Sequence, residues 1–223
     1  MKHRDPWMFA VVISVFILVS SGCLGGDQNR TSDSTDSPTT NTHLIVPTTV
    51  SFRASLKVFE NNKILENYSY TGRITYPSKN AVVSIDIAYS PQDEQIAGNW
   101  RHKKIVIENG TSVRIFEVPP ASWTYVPKNE SEQIMDEVFN KNPYRVLVEI
   151  LQNKGNVPDN GNFSIEIPSD KCHYLLAPII GGDALPDVTL RGWVVIHNGN
   201  LKSAHLEGVS GSKKYVFDME VFE

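Results

Sequence analysis

Apolar and polar residues alternate along most of the chain after residue 49. The first such stretch, VSFRASLKV, places one polar residue between each pair of apolar ones. Because successive strand residues point to opposite faces, this period of two predicts a half-buried strand. The alternation returns in AVVSIDIAY, NFSIEIP and KKYVFDMEVF. In ILENYSYTGRITY we expect one face to carry Ile64, Tyr68, Tyr70, Ile74 and Tyr76.

Two Asn-Gly pairs mark tight turns between alternating stretches. Asn109-Gly110 separates KKIVIE from TSVRIFEV, and Asn198-Gly199 separates LRGWVVIH from NLKSAHLEGV. Both central residues of a type I′ turn need a positive φ, which asparagine and glycine adopt readily. The sequence therefore predicts two β-hairpins. SWTYV and the apolar run KCHYLLAPII are interpreted as further strands.

The period becomes helical between these groups of strands, in SEQIMDEVFNKNPYRVLVEILQNKG. Asn142-Pro143 divides this segment, with asparagine suited to the N-cap and proline to the first helical position. Ser131 or Asn129 is expected to cap the first helix, and Gly155 to end the second. The two apolar stripes consist of Ile134, Met135, Val138 and Phe139, then Val146, Leu147, Ile150 and Leu151.

The order of elements indicates a mainly β (α+β) domain. A run of strands, two helices and a second run of strands give about ten strands in all, enough for one large sheet. We predict a single large, strongly curved antiparallel sheet that curls around the helix pair. The domain would span residues 43–223, with the helices near 130–154.

The N-terminus predicts export. Lys2 and Arg4 precede the apolar run WMFAVVISVFILV, and small residues follow it. A basic start, a short apolar core and small residues describe a signal peptide, here residues 1–22. The run is shorter than the roughly 20 residues of a membrane-spanning helix. An uncleaved membrane anchor is the alternative.

Cys23 directly follows these small residues. Ser20 to Cys23 resembles the lipobox of prokaryotic lipoproteins, in which cleavage precedes a lipidated cysteine; Ser20 departs from it, because an aliphatic residue usually stands there. The resemblance implies that Cys23 carries the lipid. Acyl chains gain about 0.8 kcal/mol per buried methylene, so such an anchor holds a domain on a bilayer. We expect the protein at the outer face of the cell membrane.

Residues 23–42 would form a disordered tether. DQNRTSDSTDSPTTNT contains no aliphatic or aromatic residue, so it cannot bury enough surface to fold. Five N-x-[ST] triplets occur in the chain, and they would mark surface positions if the source glycosylates exported proteins. Their asparagines are Asn29, Asn67, Asn109, Asn129 and Asn162.

Charge and motifs exclude some classes of function. The chain carries −4, and removal of residues 1–22 leaves −5 without any basic block, which argues against nucleic acid as a partner. No G-x-S-x-G motif is present, and GVSGS is interpreted as a turn.

Cys172 would be a buried apolar side chain, with a metal or nucleophile beside His173 as the alternative. We therefore expect no enzyme, cofactor or metal site, and a monomer.

Two segments and the order of elements resemble a known family. KKIVIENGTSVRIFEVPPASWTYVP and LRGWVVIHNGNLKSAHLEG look like hairpins of the LolA/LolB-like carriers and the related LppX/LprG-like lipoproteins, over about residues 46–223. That family has an unclosed barrel whose helices lie over its concave side. The resemblance therefore implies an unclosed half-barrel that covers two helices in its concave side. One departure is that LolA itself is a soluble shuttle, whereas this chain carries the predicted anchor.

The resemblance implies a cavity for a lipid or another hydrophobic ligand between sheet and helices. A filled core, in a cell-surface structural or interaction module, remains the alternative. The helix stripes and the strand residues facing them are the candidates for the cavity wall: Ile134, Val138, Phe139, Leu147, Ile150, Leu151, Phe52 and Tyr70.

Overall fold

Ten strands pair edge to edge in one antiparallel sheet. The computed structural model describes residues 44–89, 101–118, 120–180 and 185–222, all within the unit Pro38–Glu223. Along the sheet the strands follow the order β6-β5-β4-β3-β2-β1-β10-β9-β8-β7, and every neighbouring pair is antiparallel. The two end strands do not pair with each other, so the sheet is open.

The first six strands form one side of this sheet and the last four form the other. Their bounds are β1 Thr49–Glu60, β2 Lys63–Thr75, β3 Asn80–Tyr89, β4 Arg101–Glu108, β5 Ser112–Val118, β6 Ser122–Tyr125, β7 Gly161–Ile167, β8 Leu190–His197, β9 Asn200–Ser210 and β10 Lys213–Phe222. The helices are α1 Lys128–Asn140, α2 Pro143–Lys154 and α3 Ser169–Ile180. The prediction of a mainly antiparallel, unclosed β structure is confirmed.

The sheet has one apolar face and one polar face. In β1 the alternate residues Val50, Phe52, Ala54, Leu56 and Val58 are each at most 2% exposed. Directly opposed residues share a face, and the pairs of Leu56 with Tyr68 and with Phe217 extend the apolar face across β2 and β10. Burial of this face supplies the main driving force for the fold.

The predicted hairpin turns are confirmed. Asn109 and Gly110 both have a positive φ, of 53° and 62°, and connect β4 to β5. Asn198 and Gly199 do the same between β8 and β9, with φ values of 50° and 70°. Gly110 has a second constraint, because an added Cβ would lie 2.8 Å from Cδ of Lys79.

Asn142 joins the two predicted helices. Its Oδ1 accepts a hydrogen bond from the backbone N–H of Arg145 at 2.9 Å, so it caps α2 as predicted. Its Nδ2 donates to the carbonyl oxygen of Val138 at 2.9 Å, near the end of α1. Gly155, with φ of 65°, ends α2 as expected. The fully buried Asn142 therefore satisfies backbone groups of both helices.

The predicted cap of α1 is wrong. The helix begins at Lys128, and its N-cap is Pro127, which makes no side-chain hydrogen bond. Ser131 is already inside the first turn, where its hydroxyl donates to the carbonyl oxygen of Lys128 at 2.8 Å. Asn129 is also within the helix and is exposed. Neither side chain can cap the helix, because both residues follow its start.

The predicted strand KCHYLLAPII is wrong, because this segment belongs to helix α3. Its buried residues are Cys172, Leu175, Leu176 and Ile179. Their spacing of three and four residues is the period of one helix face. The domain therefore has three helices among its described residues, where the sequence predicted two.

The predicted face of Ile64 is also wrong. Ile64 is 46% exposed, whereas Tyr68 and Tyr70 on the same strand are buried. The pairing of β1 with β2 shifts between Val58 and Phe59, so that Ile64 pairs with Phe59. An extra residue in one strand reverses which face the following residues occupy.

The three helices pack against the apolar face and against one another. The ring of Phe52 in β1 stacks on Tyr144 of α2, with centroids 6.0 Å apart, and on Tyr70 of β2 at 5.6 Å. α3 contacts both α2 and β2. Within the part of the chain that the structure describes, no helix is long and apolar enough to cross a membrane.

Candidate functional site

A cleft of about 720 Å³ lies between strands β2 to β5 and helices α1 and α3. Its volume is within the roughly 300–1,000 Å³ of small-molecule sites in proteins. The cleft is lined by Tyr70, Ile85, Ile87, Arg101, His102, Lys103, Ile105, Glu117, Val118, Glu137, Val138, Lys141, Tyr174, Ala177, Pro178, Ile179 and Ile180.

One part of the cleft is apolar. The strands contribute Ile85, Ile87 and Ile105, which share the apolar face of the sheet. Opposite them are Val138 of α1, which is 2% exposed, and the last residues of α3, from Ala177 to Ile180. An apolar chain placed here would exchange water for aliphatic neighbours on two sides, which is favourable.

The other part of the cleft is charged, and two of its cations lie on the apolar face of the sheet. Arg101 pairs with Ile87 and Lys103 pairs with Ile85, and paired residues share a face. The face of β4 that carries Ile105 and buried Ile107 thus continues as Lys103 and Arg101. This break in the alternation is visible in RHKKIVIE, but only the pairing shows which face it affects.

Most of these charges have a partner. The Lys103 amine lies 3.5 Å from a Glu117 carboxylate oxygen, and the Lys141 amine lies 2.6 Å from Asp136. Hydrogen bonds from Asn140 and Lys141 lower the pKa of Asp136, and the hydrogen bond to Asp136 raises the pKa of Lys141. Both residues are exposed, so the pair contributes little to stability.

Arg101 differs from the other two cations of the cleft. Its side chain is exposed, and no carboxylate of the described residues lies within ion-pair distance of it. Glu137, on the helix side, accepts a hydrogen bond from Nε2 of Gln133 at 3.1 Å. A planar guanidinium without a partner can bind a carboxylate or phosphate through two hydrogen bonds.

Three tyrosines pack in or against the apolar core, and Tyr70 also lines the cleft. Burial raises the pKa of Tyr70, and the nearby Tyr76 and Glu137 raise it further. Burial also raises the pKa of Tyr76 and of Tyr144. The hydroxyl oxygen of Tyr144 is buried and has no hydrogen-bond partner among the described residues. These side chains therefore remain neutral at physiological pH.

Of the eight residues proposed for the cavity wall, the structure brings Tyr70 and Val138 to the cleft. Phe52, Leu147 and Leu151 lie elsewhere, in the dense core between α2 and the sheet, and are at most 2% exposed. The remaining three are Phe139, Ile134 and Ile150, of which Phe139 is 8% exposed and packs edge-on against Tyr76.

Sequence reasoning missed the contribution of β3, β4 and α3 to this cleft. The helical spacing of Cys172, Leu175, Leu176 and Ile179 was available as a signal for α3. The two cations of β4 were available as an interruption of an apolar strand face. The dense packing around α2 had no counterpart in the sequence pattern, because core and cavity walls use the same residue types.

Four of the five predicted glycosylation sites lie in the described part of the chain. Asn67, Asn109, Asn129 and Asn162 are all exposed. The anchor cysteine Cys23, the signal peptide, the tether and Asn29 lie outside the described residues.

Cys172 is fully buried on α3, as predicted. Burial raises the pKa of its thiol to about 12. The thiolate is the nucleophilic and metal-binding form, so a thiol with this pKa is inert at neutral pH. No group of three His, Cys, Asp or Glu side chains suited to a metal occurs in residues 44–89, 101–118, 120–180 and 185–222.

Two histidines on the polar face each pair with an aspartate. Nδ1 of His102 lies 2.8 Å from Asp86, and Nδ1 of His205 lies 2.7 Å from Asp218. The two pairs are separated by strands β1 and β2. Strands lie about 4.8 Å apart, so the pairs are too distant from each other to form one site.

No protein-family model matches this chain, and no curated protein matches it. Among solved structures, the chain is similar to a LolA superfamily protein from Nitrosomonas europaea. The two are 11% identical, the match covers 81% of this chain and 90% of that one, and the TM-score is 0.28. A likeness at this TM-score does not bear on function.

Proposed function

We propose that this protein is an exported, membrane-anchored lipoprotein that binds a lipid or another hydrophobic ligand between its sheet and its helices. The observation that carries the proposal is the cleft of about 720 Å³, whose apolar part is formed by β3, β4, α1 and α3. The function is ligand binding without catalysis. The ligand site lies on the concave side of a LolA-like half-barrel, beneath the helices.

The proposed location is the outer face of the cell membrane, with Cys23 as the lipid attachment point and a monomeric domain beyond the tether. The sequence supports this through the basic start, the apolar run and the Gly22-Cys23 pair. The exposure of Asn67, Asn109, Asn129 and Asn162 agrees with glycan attachment in a source that glycosylates exported proteins.

Native mass spectrometry of the gently purified protein, with organic extraction of bound molecules, tests for a ligand directly. We expect added mass that solvent extraction removes. A second measurement follows uptake of a fluorescent fatty acid. Protein that carries no extractable molecule and takes up no fatty acid would contradict the proposal.

Val138→Asp tests whether the cleft is the binding site. Val138 lines the cleft from α1, and a carboxylate there would place charge beside the ligand chain. In a carrier whose helices move, displacement of α1 lets the carboxylate reach water, so we expect uptake to fall at least about tenfold while circular dichroism still shows the sheet. Val209→Asp is the matched control, since Val209 is 68% exposed.

The dense core around α2 favours a second candidate, a structural or interaction module. Leu147 and Leu151 are fully buried there. If the region beside Val138 were packed in the same way, Val138→Asp would cost several kcal/mol and unfold the domain. Unfolding of the variant, together with absent uptake by the wild type, would support this candidate.

A further inference from the structure

The charged residues of the cleft indicate that its ligand has a polar group as well as an apolar chain. A site for a purely apolar molecule gains nothing from cations on the apolar face of a sheet, where each must keep its amine or guanidinium near water. β4 nevertheless places Lys103 and Arg101 at two successive positions of this face. Residues two apart along a strand are about 6.8 Å apart, so the two cations continue, along β4, the row of side chains formed by Ile107 and Ile105.

Lys103 and Arg101 differ in whether they have an ion-pair partner. Lys103 is directly opposite Glu117 on β5, and their side chains lie within 3.5 Å, which neutralises the pair. Lys141 is likewise held by Asp136. Arg101 has no such partner in the described part of the chain, and it lies at the end of the line furthest from Ile105 and Ile107. Its guanidinium is the available site for an anion.

We propose that the cleft selects an amphiphile with a single anionic head, a carboxylate or a phosphate, and that Arg101 binds this head. The proposal rests on the lipid-binding function proposed above. The chain of the ligand lies over Ile87, Ile85 and Ile105, between the strands and the end of α3. Lys103 stays paired with Glu117, so binding of the head depends on Arg101. Arginine suits this role, because its planar fork binds both head groups bidentately.

The test compares ligands that share one alkyl chain and differ in the head. Isothermal titration measures binding of dodecanoate, dodecyl phosphate, dodecanol and dodecyltrimethylammonium, all below their micellar concentrations, to the purified full-length protein. We expect at least one of the two anions to bind about tenfold more tightly than dodecanol, as expected for a charge-assisted hydrogen bond. The stronger of the two anions distinguishes a carboxylate source from a phosphate source.

Arg101→Gln should remove this preference by lowering the affinity for the anions to about that for dodecanol. Arg73→Gln is the matched control, because Arg73 is an exposed arginine on the polar face, opposite Val82. Lys103→Gln should weaken binding of the anions less than Arg101→Gln does, because Glu117 already neutralises Lys103. Its control is Lys104→Gln, on the other face of β4. Added salt should weaken binding of the anions more than that of dodecanol.

The outcomes separate the two proposals. If none of the four amphiphiles binds, the lipid-binding function itself fails. If dodecanol or the ammonium compound binds as tightly as both anions, or if Arg101→Gln retains the preference, lipid binding stands and the role of Arg101 is overturned.

Discussion

Tyr144 of α2 carries one of the unsatisfied buried polar atoms among the described residues. Tyr144 is fully buried, and its hydroxyl has no hydrogen-bond partner among the described residues. A buried hydroxyl without a partner loses its bonds to water and costs about 1–3 kcal/mol. The aromatic ring stabilises the fold by stacking on Phe52, whereas the oxygen does not.

Tyr144→Phe should therefore stabilise the protein. We expect the free energy of unfolding at neutral pH to rise by about 1 kcal/mol, because the ring is kept and the unpaired hydroxyl is removed. Urea denaturation measures this change. Tyr125→Phe, at a side chain that is 72% exposed, should have no effect. A loss of stability in Tyr144→Phe would show that the hydroxyl has a partner, such as an ordered water.

Tyr144 also affects how the stability of the protein changes at high pH. Burial raises the pKa of Tyr144 above its ordinary value of 10.0, so the native state holds the neutral form. Below pH 10 the Tyr144 hydroxyl is neutral in both the native and the unfolded state, so its ionisation does not change stability. As the pH rises from 10 towards the native pKa, only the unfolded state loses the proton, and the free energy of unfolding falls. Stability of the wild type should fall above pH 10, and that of Tyr144→Phe should fall less steeply.

Single residues were predictable where burial alone decided their role. The burial of Cys172 followed from its isolation in the sequence and is confirmed. The roles of Arg101 and Lys103 did not follow, because their significance depends on pairing with Ile87 and Ile85 across the β3–β4 register. A position in a strand pattern becomes informative only when the neighbouring strand fixes its face.

Among the elements, the junction of α1 and α2 depends on one side chain. Asn142 donates to the carbonyl oxygen of Val138 and accepts from the N–H of Arg145 while fully buried. Loss of a helix cap costs about 1 kcal/mol, and an unsatisfied buried carbonyl adds to this cost. The angle between the two helices is therefore linked to a residue that lies outside both.

Asn142→Ala should lower the free energy of unfolding by about 2 kcal/mol, from the lost cap and the unpaired carbonyl. Thermal and urea denaturation measure this change. Asn140→Ala is the matched control, since Asn140 is exposed and bonds only to Asp136 on its own helix. Equal effects of the two substitutions would show that the buried bonds of Asn142 do not stabilise the junction.

Elements with a clear period and a turn signal were predicted, and elements without one were not. The Asn-Gly hairpins and the Asn142-Pro143 helix start are confirmed, because each depends on local backbone preferences. Helix α3 was taken for a strand, since its apolar run resembles a buried strand. The shift in the β1–β2 pairing between Val58 and Phe59 was not predicted, because no turn residue in the sequence marks it.

At the scale of the whole molecule, the class of the fold was predictable and the cavity was not. Strand alternation on both sides of a helical segment was sufficient for an open antiparallel sheet. The volume between sheet and helices depends on how closely α1 and α3 approach β2 to β4. No local pattern encodes that distance, which is why only Tyr70 and Val138 of the predicted wall line the cleft.

The predicted anchor is tested on the whole protein. Cys23→Ala should move the protein from the detergent phase to the aqueous phase in phase separation, because multiple acyl chains supply membrane affinity. The melting temperature of the domain should not change. Cys172→Ala is the matched control, and its partition should equal that of the wild type. Equal partition of Cys23→Ala and wild type would favour a retained hydrophobic segment, visible as residues 1–22 in the intact mass.

The strand order also affects the order in which the protein can fold. β1 and β10 are neighbours at the junction of the two halves of the sheet, with Ser51 opposite Phe222. During synthesis β1 can pair with β2 at once, but its other edge has no partner until β10 has left the ribosome. Contacts between distant parts of a chain form slowly, because a large loop must close first. The sheet is therefore completed late, only after its last strand has been synthesised.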